Sequence, residues 1–443
     1  MKKLGVSMVS ASLILSVLAG CSSTASTDAG GSGTGANAGD APGTAANSGG
    51  KKIELTYWTL FSGGDGDNMD AIINAFNKSQ SEITVKNVKL EWAEYYTKLV
   101  TGVSAGKGPD IGISHVSKLP ELIKQGVVSD VDEVAKAINL NWGDYNQNIL
   151  NSTISGGKHY AVPLDTHPFI MYYNKKLLQA AGALGEGGKP AIEPGADGFV
   201  KFLSGMKDKL PKGVFPLALA NSGDDPYRLW WAAYSQLGGN DIITDDGKST
   251  AIDMEKAVTA ANFIKGLYYD SKVIKPSDPD FYKTFQSGQA AIMMTGVWAT
   301  GTWESTKDLE FGAMPIPNLF GNTKTWGDSH TIILPVTKDN DAKKRQAALA
   351  FAKFATENGQ TWAKAGHIPA NTKVMDSAEF KGMKYRSDYV SVAKDVVFPK
   401  PSDKTWPKND VLKKYLDEIW MNKTPADSVM KKIDNDVKAL LAK

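Results

Sequence analysis

The stretch Ile53-Glu54-Leu55-Thr56-Tyr57-Trp58-Thr59-Leu60-Phe61-Ser62-Gly63-Gly64 decides the fold of this 443-residue chain. Its first six residues are rich in β-branched and aromatic side chains and predict a strand, which the glycine pair ends. Apolar residues then recur at the i, i+3, i+4 and i+7 spacing of a helix face, at Met69, Ile72, Ile73 and Phe76. We expect Asp67 or Asn68 to cap that helix. A strand, a glycine turn and a helix in this order are typical of an α/β unit.

Five later segments also have the composition of buried strands. They are Pro109–Ile113, Phe169–Tyr173, Leu217–Ala220, Ala291–Met294 and Thr331–Leu334. Helical patterns lie between them, and two amphipathic helices are expected at 411–420 and 429–441. Alternating strands and helices predict a largely parallel sheet. The 393 residues that follow residue 50 exceed one usual core, so we expect two α/β lobes.

Composition and motifs exclude several classes of protein. The chain has 50 Lys and Arg against 48 Asp and Glu, without the basic stripe typical of nucleic-acid binding. A single cysteine allows no disulfide within the chain and no thiolate metal site. Residues 102–106 match the G-x-S-x-G pattern of hydrolases, but a helical segment precedes them where that pattern needs a strand. We therefore expect no catalytic residue, no cofactor and no metal.

The single cysteine, Cys21, follows Leu18-Ala19-Gly20 at the end of an apolar run that begins after Lys2 and Lys3. A basic start, an apolar run and small residues before a cleavage point are typical of a secretory signal peptide, here residues 1–20. The residues around Cys21 resemble the lipobox of bacterial lipoproteins. The resemblance implies a diacylglyceryl group on Cys21 and acyl chains such as palmitate. An ordinary secretory signal with a chance cysteine is the alternative.

Residues 22–50 consist almost entirely of Ser, Thr, Ala, Gly and Asn. Without aromatic or large aliphatic side chains, this segment cannot bury enough apolar surface to offset its ordering entropy. We expect residues 21–50 to form a lipidated flexible tether with a root-mean-square length of roughly 30 Å. Such a tether would hold a globular body on the extracytoplasmic face of the cell membrane.

Candidate binding residues flank the expected strands, because ligands of open α/β sheets lie beyond the carboxyl ends of the strands. Aromatic side chains recur there beside carboxylates and imidazoles. An aromatic face packs on a sugar ring while polar groups bond its hydroxyls, although nucleobases or peptides could use similar groups. The substrate-binding candidates are Trp58, Asp65, His115, Asp165, His167, Asp225, Tyr227, Trp230, Trp298, Trp326 and His330, with Asp328 beside them.

Each candidate also has a purely structural interpretation. An aromatic residue at a strand end can belong to the core, as can Trp230 within a tryptophan pair, and an interior histidine can simply be hydrogen-bonded. Asp65 could cap the following helix, and Asp165 could hold a hinge. Five other tryptophans are interpreted as structural: Trp92, Trp142, Trp362, Trp406 and Trp420.

Short motifs recur in order from about Ile53 to Ala370. They are Tyr57-Trp58 with Gly63-Gly64, Phe76-Asn77, Glu94-Tyr95-Tyr96-x-Lys98-Leu99, Gly108-Pro109-Asp110-Ile111, Tyr160-Ala161-Val162-Pro163, Tyr172-Tyr173-Asn174-Lys175, Gly238-Gly239, Phe285-x-x-Gly288-Gln289-Ala290-Ala291, Gly296-Val297-Trp298 and Gly366-His367-Ile368-Pro369. In this order and spacing, the chain resembles the extracellular solute-binding proteins of ABC importers. That class includes the maltose- and multiple-sugar-binding proteins.

The resemblance implies a periplasmic-binding-protein-like fold, in which hinge crossovers join two α/β lobes around a central ligand cleft. The N-terminal lobe is expected at 51–163 and 324–366, and the C-terminal lobe at 164–323 and 367–443. Crossings are expected near Pro163–Asp165, Pro317–Lys324 and Gly366–Lys373. By analogy, Trp58, Asp65, His115, His167, Tyr227 and Trp298 line the cleft. His167 departs from the acidic residue that some oligosaccharide binders carry at its position.

The resemblance also implies a function without covalent chemistry. A sugar or oligosaccharide would close the cleft, and the closed monomer would be recognised by the membrane subunits of an ABC permease in a Gram-positive cell. A secreted glycoside hydrolase remains an alternative, because it too would combine aromatic residues with carboxylates. A surface adhesin or sensor, which would keep the lipobox but not the closing cleft, is a third.

Overall fold

The computed structural model describes residues 52–239 and 241–443. Cys21, the signal peptide and the tether expected at 21–50 lie outside the described residues. The strands are β1 (Ile53–Thr59), β2 (Ile83–Lys89), β3 (Ile111–His115), β4 (Ile154–Ser155), β5 (Lys158–His159), β6 (Ala161–Pro163), β7 (Asp165–Asn174), β8 (Phe215–Ala218), β9 (Ala290–Gly296), β10 (Phe311–Pro315), β11 (Thr325–Asp328), β12 (His330–Ile333), β13 (Ile368–Pro369) and β14 (Val396–Val397).

Helices lie between and around these strands. They are α1 (Gly63–Ser79), α2 (Trp92–Ser104), α3 (Leu119–Lys124), α4 (Asp132–Ala137), α5 (Gln147–Asn151), α6 (Lys175–Ala180), α7 (Ala196–Lys207), α8 (Asp224–Gln236), α9 (Met254–Tyr269), α10 (Phe281–Gln286), α11 (Thr300–Ser305), α12 (Ala342–Glu357), α13 (Gly359–Ala363), α14 (Thr372–Asp376), α15 (Ala378–Lys381), α16 (Arg386–Tyr389), α17 (Thr405–Asn422) and α18 (Ala426–Leu441). Within the described ranges, none of them combines the length and the apolar character needed to cross a membrane.

The first unit of the fold forms as the opening stretch predicts. β1 leads into α1, and the predicted apolar face of α1 is buried, with Met69, Ile72, Ile73 and Phe76 each at most 5% exposed. The predicted cap is wrong, because α1 begins at Gly63 and Ser62 precedes it. Asp67 and Asn68 therefore lie within the helix, and Asp65 lies in its first turn.

Two mixed sheets organise the chain. The first has the strand order β2-β1-β3-β12-β6, and the second has the order β14-β11-β7-β9-β8, with β10 and β13 also paired to β7. The expectation of largely parallel sheets is wrong. β12 runs antiparallel to both β3 and β6, and β7 runs antiparallel to β9, β10, β11 and β13.

The chain passes between the two sheets at points that matter for the site. β6 ends at Pro163 in the first sheet, and β7 begins at Asp165 in the second. β11 pairs within the second sheet although it was expected in the N-terminal lobe, whereas β12 pairs within the first. This return therefore occurs at Ser329 and not near Pro317–Lys324. The remaining lobe boundaries stay predictions.

Candidate functional site

A cavity of about 360 Å³ is lined by residues from the elements of both sheets. The first sheet, with its helices and loops, supplies residues 60–62, Asp65, Trp92, His115, Ser117 and His330. The second sheet and its helices supply His167, Asp224, Tyr227, Arg228, Trp298, Trp326, Asp328, His367, Trp406, Asn409, Asp410 and Lys413. The cavity thus lies where chain crossings bring the ends of β3, β7, β11 and β12 together.

The structure brings together most of the candidates that sequence reasoning selected. Seven of these candidates line the cavity: Asp65, His115, His167, Tyr227, Trp298, Trp326 and His330. The other four do not. Trp58 packs against the core of the first sheet. Trp230 is fully buried in the core of the second sheet, where its Nε1 donates to the Ala257 carbonyl at 3.1 Å. Asp165 and Asp225 lie behind the lining and hold residues that belong to it.

One aromatic wall is built around Arg228. Its guanidinium lies 4.8 Å from the ring centre of Trp298 and 4.6 Å from that of Trp326, distances at which a cation is attracted to an aromatic face. Arg228 also donates to Asp225 Oδ1 at 2.5 Å, and the Thr295 hydroxyl donates to Asp225 Oδ2 at 2.8 Å. Burial raises the pKa of Asp225 despite this cation. The buried ion pair therefore fixes the positions of both tryptophans.

A second aromatic wall comes from Trp92 and Trp406, which stack with ring centres 6.1 Å apart and an interplanar angle of 25°. Trp406 Nε1 donates to the Ser117 hydroxyl at 2.9 Å. Both tryptophans line the cavity, although both were interpreted as structural from the sequence. Trp92 is 48% exposed, so a large flat apolar surface remains free.

Asp165 is the central acceptor behind the histidines. Its Oδ1 accepts from His167 Nδ1 at 2.9 Å and from the backbone N–H of His330 at 3.0 Å. Its Oδ2 accepts from His330 Nδ1 and from Trp362 Nε1, both at 2.7 Å. Burial alone would raise the pKa of Asp165, but the surrounding imidazoles, His330 first, hold it well below its usual range. The carboxylate is therefore ionised and can only accept hydrogen bonds.

That ionised carboxylate fixes which ring nitrogen of each histidine carries the proton. Because Asp165 can only accept, Nδ1 of both His167 and His330 must donate, and Nε2 of the neutral His167 ring carries a lone pair. Burial, and next the neighbouring His330, lower the pKa of His167 to about 3. Burial also lowers the pKa of His115 well below its ordinary value. His115 and His167 are therefore neutral at physiological pH.

His367 differs from the other cavity histidines. Its Nε2 lies 3.0 Å from Asp65 Oδ1, while its Nδ1 has no hydrogen-bond partner and lies 3.6 Å from Asp165 Oδ2. Burial would lower the pKa of His367, but the carboxylates of Asp65 and Asp165 outweigh it and raise that pKa. Asp65 thus bonds a histidine instead of capping α1. Ligand atoms of Asp165, His167, His330 and His367 lie within 4.8 Å of one another, which makes this cluster a candidate cation site.

Asp328 joins the two sheets at the edge of the cavity. Its Oδ2 accepts from the Ser117 hydroxyl at 2.5 Å, and its Oδ1 accepts from the backbone N–H of Ser329 at 2.8 Å. Burial raises the pKa of Asp328 to about 6. Since Ser117 also accepts from Trp406, one serine connects β11, the segment after β3 and α17.

Sequence reasoning found Tyr227 but missed the other residues on the cavity faces of two helices. On α8 the cavity residues follow an i, i+3, i+4 spacing: Asp224, Tyr227 and Arg228. On α17 they follow an i, i+3, i+4, i+7 spacing: Trp406, Asn409, Asp410 and Lys413. This periodicity was the available signal, although Tyr227 also packs in the core of the second sheet. His367 was noticed only within the motif Gly366-His367-Ile368-Pro369.

Comparison of the sequence with known proteins identifies a family that it matches. The sequence model described as bacterial extracellular solute-binding protein matches residues 71–386. A putative binding protein of Brucella abortus is 24% identical over 396 residues, covering 86% of this chain and 92% of the relative. An arabinooligosaccharide-binding protein of Halalkalibacterium halodurans is 23% identical over 346 residues, covering 74% of each chain.

A solved structure shares the fold. The ABC substrate-binding protein of Listeria monocytogenes in complex with cycloalternan superposes with a TM-score of 0.76 at 19% identity. It covers 88% of this chain and 100% of the Listeria chain. The similarity confirms the expected fold class of two α/β lobes around a cleft.

Proposed function

Since the chain belongs to the bacterial extracellular solute-binding proteins, we propose that its cavity captures a sugar or oligosaccharide and that the protein delivers it to an ABC permease. The arabinooligosaccharide-binding relative and the cycloalternan complex support a carbohydrate ligand. Within this proposal the protein binds its ligand without altering it, and the ligand leaves intact.

The observation that carries the proposal is the pairing of two aromatic walls across one cavity. Trp298 and Trp326 are fixed by Arg228, and Trp406 stacks with Trp92. Sugar rings present flat C–H faces to such walls and hydroxyls to the polar groups between them. The polar groups are the imidazoles, Asn409 and the nearby carboxylates. This alternation of flat apolar surface and hydrogen-bonding groups fits a saccharide.

Both sheets contribute to the cavity, so a bound sugar would contact both lobes. A ligand shifts an equilibrium between open and closed forms only by its difference in affinity for them. Contacts to His115 in the first sheet and to Trp298 beside the second exist together only when the lobes are close. Hinge closure follows from that difference, and the closed form is the one a permease recognises.

The site residues we propose are those that line the cavity: Asp65, His115, His167, Tyr227, Trp298, Trp326, His330, Trp92, Arg228 and Trp406. Asp165 and Asp225 act as positioning residues, because each holds lining side chains without reaching the cavity itself.

A panel of labelled oligosaccharides tests the proposal. The purified protein should retain at least one of them, release it at its original length, and contract on binding as measured by small-angle scattering. Shortened sugar would establish a hydrolase. Absence of binding across the panel, or binding without contraction, would refute capture by closure.

We further propose that a diacylglyceryl group on Cys21 anchors the monomer to the cell membrane. Two acyl chains suffice for stable anchoring, at about 0.8 kcal/mol per buried CH₂. Cys21→Ser should move the expressed protein from the membrane fraction to the medium. A Cys21→Ser protein that stays in the membrane fraction would contradict the anchor.

A further inference from the structure

The cavity contains four of the five histidines of the chain: His115, His167, His330 and His367. In three of them Nδ1 is engaged from behind. Asp165 holds Nδ1 of His167 and of His330, and the Tyr96 hydroxyl lies 2.7 Å from Nδ1 of His115. A sugar-binding site does not require this concentration of imidazoles.

The remaining nitrogen of each of these three rings is free. Among the described residues, Nε2 of His115, His167 and His330 has no hydrogen-bond partner, yet none of the three atoms is sealed away from solvent. The rings are otherwise buried, with residue exposures of 9%, 3% and 5%. All three rings line the same cavity.

The spacing of the rings suits a shared ligand. Ring centres lie 4.3 Å apart for His167 and His330, 4.8 Å for His115 and His330, and 5.6 Å for His115 and His167. Three imidazoles that bind one tetrahedral ion through nitrogens about 2.0–2.1 Å from it place their ring centres about 5 Å apart. The observed distances bracket that value, but the ligand atoms that lie within 4.8 Å of one another are those of Asp165, His167, His330 and His367, so the His115 ring must turn to join them.

The partners behind the rings are those of a metal centre. Metal-bound histidines donate their other ring N–H to a carboxylate or another oxygen, which orients the ring and makes the binding nitrogen more basic. Asp165 does this for His167 and His330, and the Tyr96 oxygen is placed to do so for His115.

We propose that the cavity binds a divalent transition-metal ion of the Zn²⁺ class through Nε2 of His115, His167 and His330. The fourth position of the ion faces the cavity, where water or an oxygen of a bound solute can occupy it. Three histidines with one open position form a site for ligand exchange and not a closed structural site. The site makes metal-dependent recognition of an oxygen-bearing solute a property of this cavity.

Asp165 and His367 belong behind the ion and not in its first coordination sphere. The two Asp165 oxygens already accept four hydrogen bonds, which fills the lone pairs of a carboxylate. His367 Nε2 is engaged by Asp65. Its Nδ1 lies 3.6 Å from Asp165 Oδ2 and is enclosed by protein, so it reaches toward the carboxylate.

Cobalt titration tests the proposal. Protein purified without a histidine tag and treated with chelator should bind one Co²⁺ and develop the visible absorption of a tetrahedral ion, which Zn²⁺ then displaces. His115→Gln, His167→Gln and His330→Gln should each weaken binding at least tenfold. His159→Gln is the matched control and should leave binding unchanged, because His159 pairs with Asp132 and stacks on Trp142 away from the cavity.

Two further measurements keep the test decisive if a variant fails to fold. Electron paramagnetic resonance of Cu²⁺ bound to the unaltered protein should show three imidazole nitrogens. Asp165→Asn, if folded, should weaken metal binding about 10–100-fold, the usual effect of removing such an outer partner. No binding by the unaltered protein, or binding lost in His367→Gln but kept in His115→Gln, would overturn the proposed site.

The metal and sugar proposals can fail separately. Co²⁺ binding is measured without any sugar, and the oligosaccharide panel is repeated with chelator present. Sugar retained under chelation with no Co²⁺ bound would reject the metal site alone. Co²⁺ bound with no sugar retained under either condition would reject the carbohydrate ligand alone.

Discussion

Replacing Asp165 by asparagine tests the role of the buried acceptor behind the histidines. The side chain keeps its shape, but one carboxylate oxygen becomes an amide nitrogen that donates. Two donors face each oxygen of Asp165. Imidazoles can change tautomer and accept from the new amide. The backbone N–H of His330 and the indole N–H of Trp362 cannot, so one of them must face the amide nitrogen.

The expected loss follows from this geometry. A buried donor left without an acceptor costs about 1–3 kcal/mol, and each hydrogen bond that loses its charged partner weakens by about 1 kcal/mol. One stranded donor and three weakened bonds give a destabilisation of about 4–6 kcal/mol. That is a large part of the 5–15 kcal/mol or so that stabilises a typical native protein.

Urea unfolding followed by far-UV circular dichroism measures the effect, with chelator present so that metal binding does not contribute. The midpoint should fall while the slope with urea stays constant. Asp132→Asn is the control, because Asp132 also binds a histidine but its side chain is 33% exposed. It should cost less than about 1 kcal/mol. An Asp165→Asn protein as stable as Asp132→Asn would refute the assigned hydrogen-bond network.

Two further predictions concern binding and packing. Trp298→Ala should weaken sugar binding at least tenfold, about 1.4 kcal/mol, whereas Trp142→Ala, outside the cavity lining, should leave the affinity measured by calorimetry unchanged; equal affinities would exclude Trp298 from the site. Gly366→Ala should destabilise the protein by more than about 2 kcal/mol, because Gly366 has φ +122° and an added Cβ would lie 2.0 Å from a backbone oxygen. Gly205→Ala, within α7 and with open space around it, should instead stabilise by about 0.5–1 kcal/mol in thermal unfolding, and the opposite ranking of the two glycine variants would contradict the packing described.

Local periodicity predicted which elements form but not how they pair. β1, α1 and β7 follow from residue patterns, because each pattern depends on the nearest neighbours along the chain. The direction of β12 does not, since it depends on the return of the chain from β11 through Ser329. Pairing of this kind is a property of contacts between distant residues. The sequence pattern therefore could not distinguish mixed from parallel sheets.

Site residues that directly follow a strand could be predicted from the sequence, whereas most site residues on helices could not. Trp298 and His115 lie at strand ends and were found. Arg228 was missed and Trp406 was interpreted as structural, because both lie on helix faces and neither directly follows a strand. His115, His167 and His330 were each selected as candidates, but their meeting in one cluster was not predicted, since they come from β3, β7 and β12 and no local spacing joins them.

One wall of the cavity comes from α17, near the end of the chain, so the cavity is complete only after α17 has folded against the rest. Trp406 meets Trp92 and Ser117 across some three hundred residues of chain. Contacts of such sequence separation close late, since loop-closure entropy must be offset first. During export, a molecule whose residues near 405 have not yet emerged would have only part of its cavity. Such a chain would therefore lack the aromatic wall that Trp406 forms with Trp92.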